Sequence, residues 1–128
     1  MSYEIKGHIL GFEKTREVEI HKVDELFSTL LDKENENISF TMVSPYALRE
    51  YSFDLPSNIK SLLEIKEDSK VSVYTIAVIQ EPLERSAVNF LAPIIVNEDN
   101  KTIGQAVLKR KEHPDFGMAE RINTFLDN

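Results

Sequence analysis

A chain of 128 residues, 41% hydrophobic and 9% aromatic, can build one domain around one core, and its composition excludes a disordered segment. The absence of cysteine removes disulfides, thiolate metal sites and cysteine nucleophiles. A formal net charge of −7 and a pI of about 5.0 disfavour direct contact with nucleic-acid phosphates; they favour a basic partner or simply confer solubility.

The opening stretch MSYEIKGHIL has no basic region followed by a long apolar core, so no signal peptide is expected. It contributes a first strand over 3–9. REVEIH (16–21) alternates Val18 and Ile20 with charge, the mark of a half-buried strand. VDELFSTLLDKE (23–34) is ambiguous, because Val23, Leu26, Phe27, Leu30 and Leu31 fall at helical spacing. NISFTMV (37–43) and EYSFDL (50–55) alternate and predict strands, and PSNIKSLLEI (56–65) predicts a short helix with Pro56 and Ser57 as start signals. KVSVYTIAVIQ (70–80) is apolar on both faces, as a central strand is.

The stretch 86–97 is apolar enough for a strand, yet Pro93 interrupts it and Asn89 and Asn97 flank its centre. Proline cannot donate to a ladder, so this segment belongs at an edge or a bulge. The same run is too short to cross a bilayer as a helix, and no membrane association is expected. IGQAVLKR (103–110) predicts a further strand. GMAERINTFLDN (117–128) predicts a closing helix, with Met118, Ile122, Phe125 and Leu126 on one stripe and Gly117 as N-cap, Glu120 standing three residues on. A helix this short must dock, either on its own domain or near a binding surface. The sum is about seven strands with one or two short helices, an all-β sandwich or barrel.

Chemistry is hard to find in this chain. His8, His21 and His113 share no ligand spacing, no serine sits in a nucleophile elbow, and no glycine-rich phosphate loop exists. The acidic knots DKENEN (32–37), EIKED (64–68) and NEDN (97–100) read as solvated turns, and neither DKENEN nor NEDN has the calcium-loop ladder. No metal, no cofactor and no catalysis are expected. The residues point to a binding module. A nucleic-acid-binding barrel of the OB type is the alternative, although it needs aromatics interleaved with basic residues and the strands here alternate with acids. A hydrolase or isomerase with a carboxylate pair in a barrel mouth has no spacing in its favour.

ILGFE (9–13), VSPYALREYSFDLP (43–56), VNFLAPIIVNEDNKTIGQAVL (88–108) and HPDFG (113–117) together resemble the FliW family of flagellar assembly factors. The family pattern has G-F-E, then [DN]-P-[FY], P-x-Y-x-[FV]-x-[LI]-P, N-[FL]-x-A-P-[IV]-[IV]-[IV]-N, Q-x-[VI]-L and Y-P. The chain departs from it at Ser44 before Pro45 and Tyr46, at LREY (48–51), where the usual proline is replaced, at His113 before Pro114, and in 23–34, which lacks the usual L-Q-S. The resemblance implies one FliW-like domain over 1–128, a small antiparallel β-barrel-like fold, and a strand around 26–31 rather than a helix. It also implies a non-enzymatic cytoplasmic protein; a monomer in solution is expected. Such a protein binds flagellin as a chaperone and antagonises a CsrA-type RNA-binding translational regulator, so that flagellin synthesis is coupled to export. On this reading Tyr46, Asn89, Pro93, Asn97, Asp115 and Phe116 frame the protein-binding groove. The competing reading is that 89–97 is core plus bend, with Phe90, Ile94 and Ile95 packed inside and the two amides fastening the turn.

Overall fold

The structure, a computed structural model, describes residues 2–126. Nine strands form one sheet: β1 (Ser2–Ile5), β2 (Glu17–Lys22), β3 (Phe27–Asp32), β4 (Ser39–Val43), β5 (Val71–Val78), β6 (Ala87–Val88), β7 (Ile94–Asn97), β8 (Thr102–Gln105) and β9 (Glu120–Arg121). The helices are α1 (Pro45–Leu48), α2 (Ser57–Leu62) and α3 (Asn123–Leu126), with a 3-10 turn at Leu83–Arg85. The sheet order is β4-β3-β2-β1-β8-β7-β5-β6-β9, and β4 also pairs with β5, so the first seven strands of that order close into a barrel. Every pair is antiparallel except β1 with β8, which run parallel through Glu4 opposite Thr102 and Ile5 opposite Ile103. β6 and β9 extend the sheet outside the closed ring.

Closure leaves an interior filled by side chains rather than a channel. Ile9, Val18, Leu30, Met42, Ile94, Val96 and Ile103 fill one part of it; Val43, Tyr51, Val88, Phe90, Phe116 and Ile122 form a second cluster towards the β6–β9 extension. A third, smaller cluster packs α2 on the barrel through Ile59, Leu63, Ile95 and Ala106.

Several elements differ from the sequence expectations. The helical spacing in 23–34 is misleading: Phe27–Asp32 is a strand, and its inward row is Ser28, Leu30 and Asp32. Two of those three side chains are polar, which hides the period-2 signal. A turn starts the strand, with the Asp24 carboxylate accepting the Leu26 and Phe27 N–H groups at 2.9 and 2.7 Å. The alternating stretch 50–55 is not a strand. Tyr51 is buried and Phe53 and Leu55 are half-buried, but the backbone joins no ladder because the barrel already closes through β4 and β5. Its alternation records packing of an extended loop.

The expected strand 103–110 ends at Gln105, although Ala106 and Leu108 N–H groups still donate to Pro93 and Leu91 carbonyls. Among the described residues the closing helix begins only at Asn123, as Asn123–Leu126, and Gly117 is not its N-cap. Instead the Gly117 N–H donates to the Glu120 carboxylate at 2.7 Å, and Glu120 and Arg121 pair with β6 as strand β9. Residues 127 and 128 of that expectation lie outside the described residues. Helix α1 had no expectation, and three α-helices stand where one or two were read.

Candidate functional site

Pro93 lies in a bulge. β6 and β7 both pair with β5, through Val88 opposite Ala77 and Ile94 opposite Tyr74. Between these pairs β5 advances three residues while the chain from Val88 to Ile94 spends six, so three residues are thrown out of register. The Asn89 Oδ1 accepts the Leu91 N–H at 3.0 Å and fixes the bend, while the Phe90 N–H donates to the Gly117 carbonyl at 2.9 Å. Pro93 is buried and its carbonyl accepts from Ala106, so its missing N–H leaves no gap in a ladder.

Around this bulge gathers an aromatic cluster. Phe90, fully buried, lies 5.7 Å from Tyr51, 6.5 Å from Phe116 and 5.4 Å from Phe125, ring centre to ring centre. The Tyr51 hydroxyl donates to the Phe90 carbonyl at 2.7 Å, and burial pushes this phenol well above its ordinary pKa. Tyr46, at the start of α1, meets Tyr51 edge-on at 6.0 Å and is 55% exposed, the one ring of the group that faces water so fully. On the other side His113 stacks flat on Phe116 at 5.1 Å.

Arg49 enters the cluster as its charged centre. Its guanidinium carbon sits 5.2, 5.1 and 5.5 Å from the centres of the Phe90, Phe116 and Phe125 rings. Its Nη1 donates to the Asp115 carbonyl at 3.2 Å and to the Glu120 carboxylate at 3.3 Å. Beside it opens a cleft lined by Arg49, Glu50, Tyr51, Ser52, Asp115 and Phe116. The sequence reading passed over Arg49; the signal was its position in LREY, where the chain departs from the family pattern.

At the far end of β7 the chemistry is different. Asn97 is 1% exposed; its Nδ2 donates to the Leu63 carbonyl at 2.9 Å and its Oδ1 accepts the Asp99 N–H at 3.0 Å. Asn100 Nδ2 reaches the same carbonyl at 2.9 Å. Glu98 accepts from the Tyr3 and Ser72 hydroxyls at 2.7 and 2.8 Å, and burial and this carboxylate together raise the Tyr3 pKa. The NEDN knot, read as a solvated turn, is a fastened joint between β7, β8 and the end of α2.

Tyr51 links Tyr46, 6.0 Å away, to Phe116, 4.7 Å away, while Asp115 and Phe116 line the Arg49 cleft and the Asn89 bend adjoins through Phe90. Pro93 and Asn97 are both buried, Asn97 against the Leu63 carbonyl at the other end of the segment. Among the described residues no three histidine, aspartate or glutamate side chains cluster to hold a metal ion, and no helix is long and apolar enough to cross a membrane.

The FliW family model, described as FliW protein, matches residues 2–120. The chain belongs to the FliW family. Among its relatives, Flagellar assembly factor FliW 1 of Wolinella succinogenes is 47% identical over 126 residues, covering 98% of each chain. Flagellar assembly factor FliW of Helicobacter pylori is 44% identical over 128 residues, covering 98% of this chain and 95% of its own. A crystal structure of the flagellar assembly factor FliW superposes with a TM-score of 0.85 at 20% identity, covering 94% of this chain and 84% of that one; it shows the FliW fold. The chain thus shares that fold, and within it Phe27–Asp32 is a strand, as the resemblance favoured over the helical spacing.

Proposed function

We propose that this protein is a non-enzymatic flagellar assembly factor, acting in the cytoplasm as a single-domain monomer. It binds flagellin through the helical terminal region of that protein and holds it for export. It also captures a basic CsrA-type regulator, and flagellin and regulator exchange on it, so that free flagellin releases the regulator to repress further synthesis. The observation that carries this reading is identity of 47% along 98% of both chains to a relative named for flagellar assembly. Two physical features support it. The net charge of −7 favours encounter with a basic regulator and repels the RNA that regulator holds. The exposed Tyr46 ring beside the Arg49 cleft offers an apolar, partly charged surface to a helix.

Calorimetric titration with the flagellin of the same cell, with its CsrA-type regulator, and with both together tests the reading. Submicromolar flagellin binding that weakens regulator binding is the expected result. Binding of neither by a folded sample overturns it. Association with the regulator should also slow as salt rises, and a salt-independent rate removes the role given to charge.

A further inference from the structure

The barrel does not need its C-terminal segment for closure. The ring closes through β4 and β5, whereas β9 touches the sheet only at β6, with Ala87 opposite Arg121 and Val88 opposite Glu120. What holds the segment 117–126 is local. The Gly117 carbonyl accepts the Phe90 N–H at 2.9 Å, the Ile122 N–H donates to the Ser86 carbonyl at 2.8 Å, Ile122 and Phe125 pack against the aromatic cluster, and Glu120 joins Arg49 at 3.3 Å. The Glu120 carboxylate also receives the Gly117 N–H, so one side chain ties the segment to itself and to the barrel. Met118, Ala119, Arg121 and Thr124 face water.

We infer that 117–126 is a strap latched by Arg49 and Glu120, which opens without unfolding the barrel and uncovers an acceptor for a partner segment. Opening frees the outer edge of β6, the face of the Phe90 ring that Phe125 covers and the Arg49 donor that Glu120 occupies. An edge strand pairs with any extended segment that matches it. Here the strap is the template for what matches: an acidic residue to meet Arg49, an aliphatic two positions on in the place of Ile122, and an aromatic three further in the place of Phe125. The occupant is a segment of that acidic-aliphatic-aromatic pattern. It is distinct in charge from the basic regulator, and the inference stands whichever partners the protein has. Local opening of this kind belongs to elements held by few backbone bonds.

Hydrogen exchange on the full chain reads the latch. Glu120→Gln keeps the shape of the side chain and removes its charge. Exchange in 117–126 and at the β6 edge should then quicken about tenfold, the order a charged hydrogen bond is worth, while β1 to β4 keep their protection. No change in the strap, or equal quickening throughout, overturns the inference. A second measurement uses a labelled synthetic peptide with the sequence of 117–126 as probe. The chain has no cysteine, so the pair Ala87→Cys with Arg121→Cys, opposed across the ladder, introduces the sole thiols. Reduced, the double variant should bind the peptide; oxidised and locked, it should not. Equal binding by both forms, or none by either, also overturns the inference.

Discussion

The two ends of the segment 89–97 carry the same residue type and do different work. Asn97 is enclosed, with both ends of its amide engaged between β7 and the end of α2. Asn89 is half-buried and spends its oxygen on a bend that turns Phe90 inward beneath Arg49 and Tyr51. One end is a joint in the scaffold. The other sets the floor of a surface where the exposed Tyr46 and the Arg49 cleft lie. Burial and the neighbours each amide meets decide which role it takes.

The largest expected effect lies between these ends. Phe90→Ala removes the ring on which Tyr51, Phe116, Phe125 and Arg49 all rest, and should cost about 3–5 kcal/mol, read by chemical denaturation. Asn97→Ala comes next. It deletes one buried and one half-buried hydrogen bond and should cost about 2 kcal/mol while the folded fraction still binds flagellin normally. Asn89→Ala should cost only about 1 kcal/mol, since the bend is partly solvated and one bond is lost. Equal losses at Asn89 and Asn97 would erase the distinction between the two ends.

Alkaline pH sharpens the same contrast. Burial raises the pKa of Tyr51 from an ordinary 10.0, so its contribution is fully present below pH 10.0 and is lost as pH rises above that value towards the raised one. Stability should fall as pH rises above about 10, and Tyr51→Phe, which carries no ionisable group, should lessen that fall. An unchanged slope in the variant would remove Tyr51 from the account. The smallest effect on stability belongs to Tyr46→Ala, which should stay within about 0.5 kcal/mol because the ring is mostly in water.

Much of this fold was legible because its strands follow simple alternation. Val18 and Ile20, Phe40 and Met42, and the doubly apolar run 71–78 declared themselves. The failures have physical causes. Ser28 and Asp32 face inward on β3, so polarity there contradicted position. Tyr51, Phe53 and Leu55 alternate without a ladder, which periodicity cannot distinguish from a strand. The two-residue β9 is too short to leave any period. Of the candidate site, Tyr46, Asp115 and Phe116 converge from segments distant in sequence, and only the resemblance pointed to them. Arg49 stands in LREY, where the chain departs from the family pattern, but that departure does not name its partners: Phe90, Phe116, Glu120 and Phe125 lie 41 to 76 positions on in the chain. The missing N–H of Pro93 pointed to an edge or a bulge, and the structure has the bulge.

The most direct test of the division between joint and surface is calorimetric titration of flagellin into the folded Tyr46→Ala and Asn97→Ala variants. Tyr46→Ala should keep its melting temperature and lose flagellin affinity, while Asn97→Ala should lose melting temperature and keep affinity. The reverse pattern, or undiminished flagellin binding by Tyr46→Ala, would contradict that division.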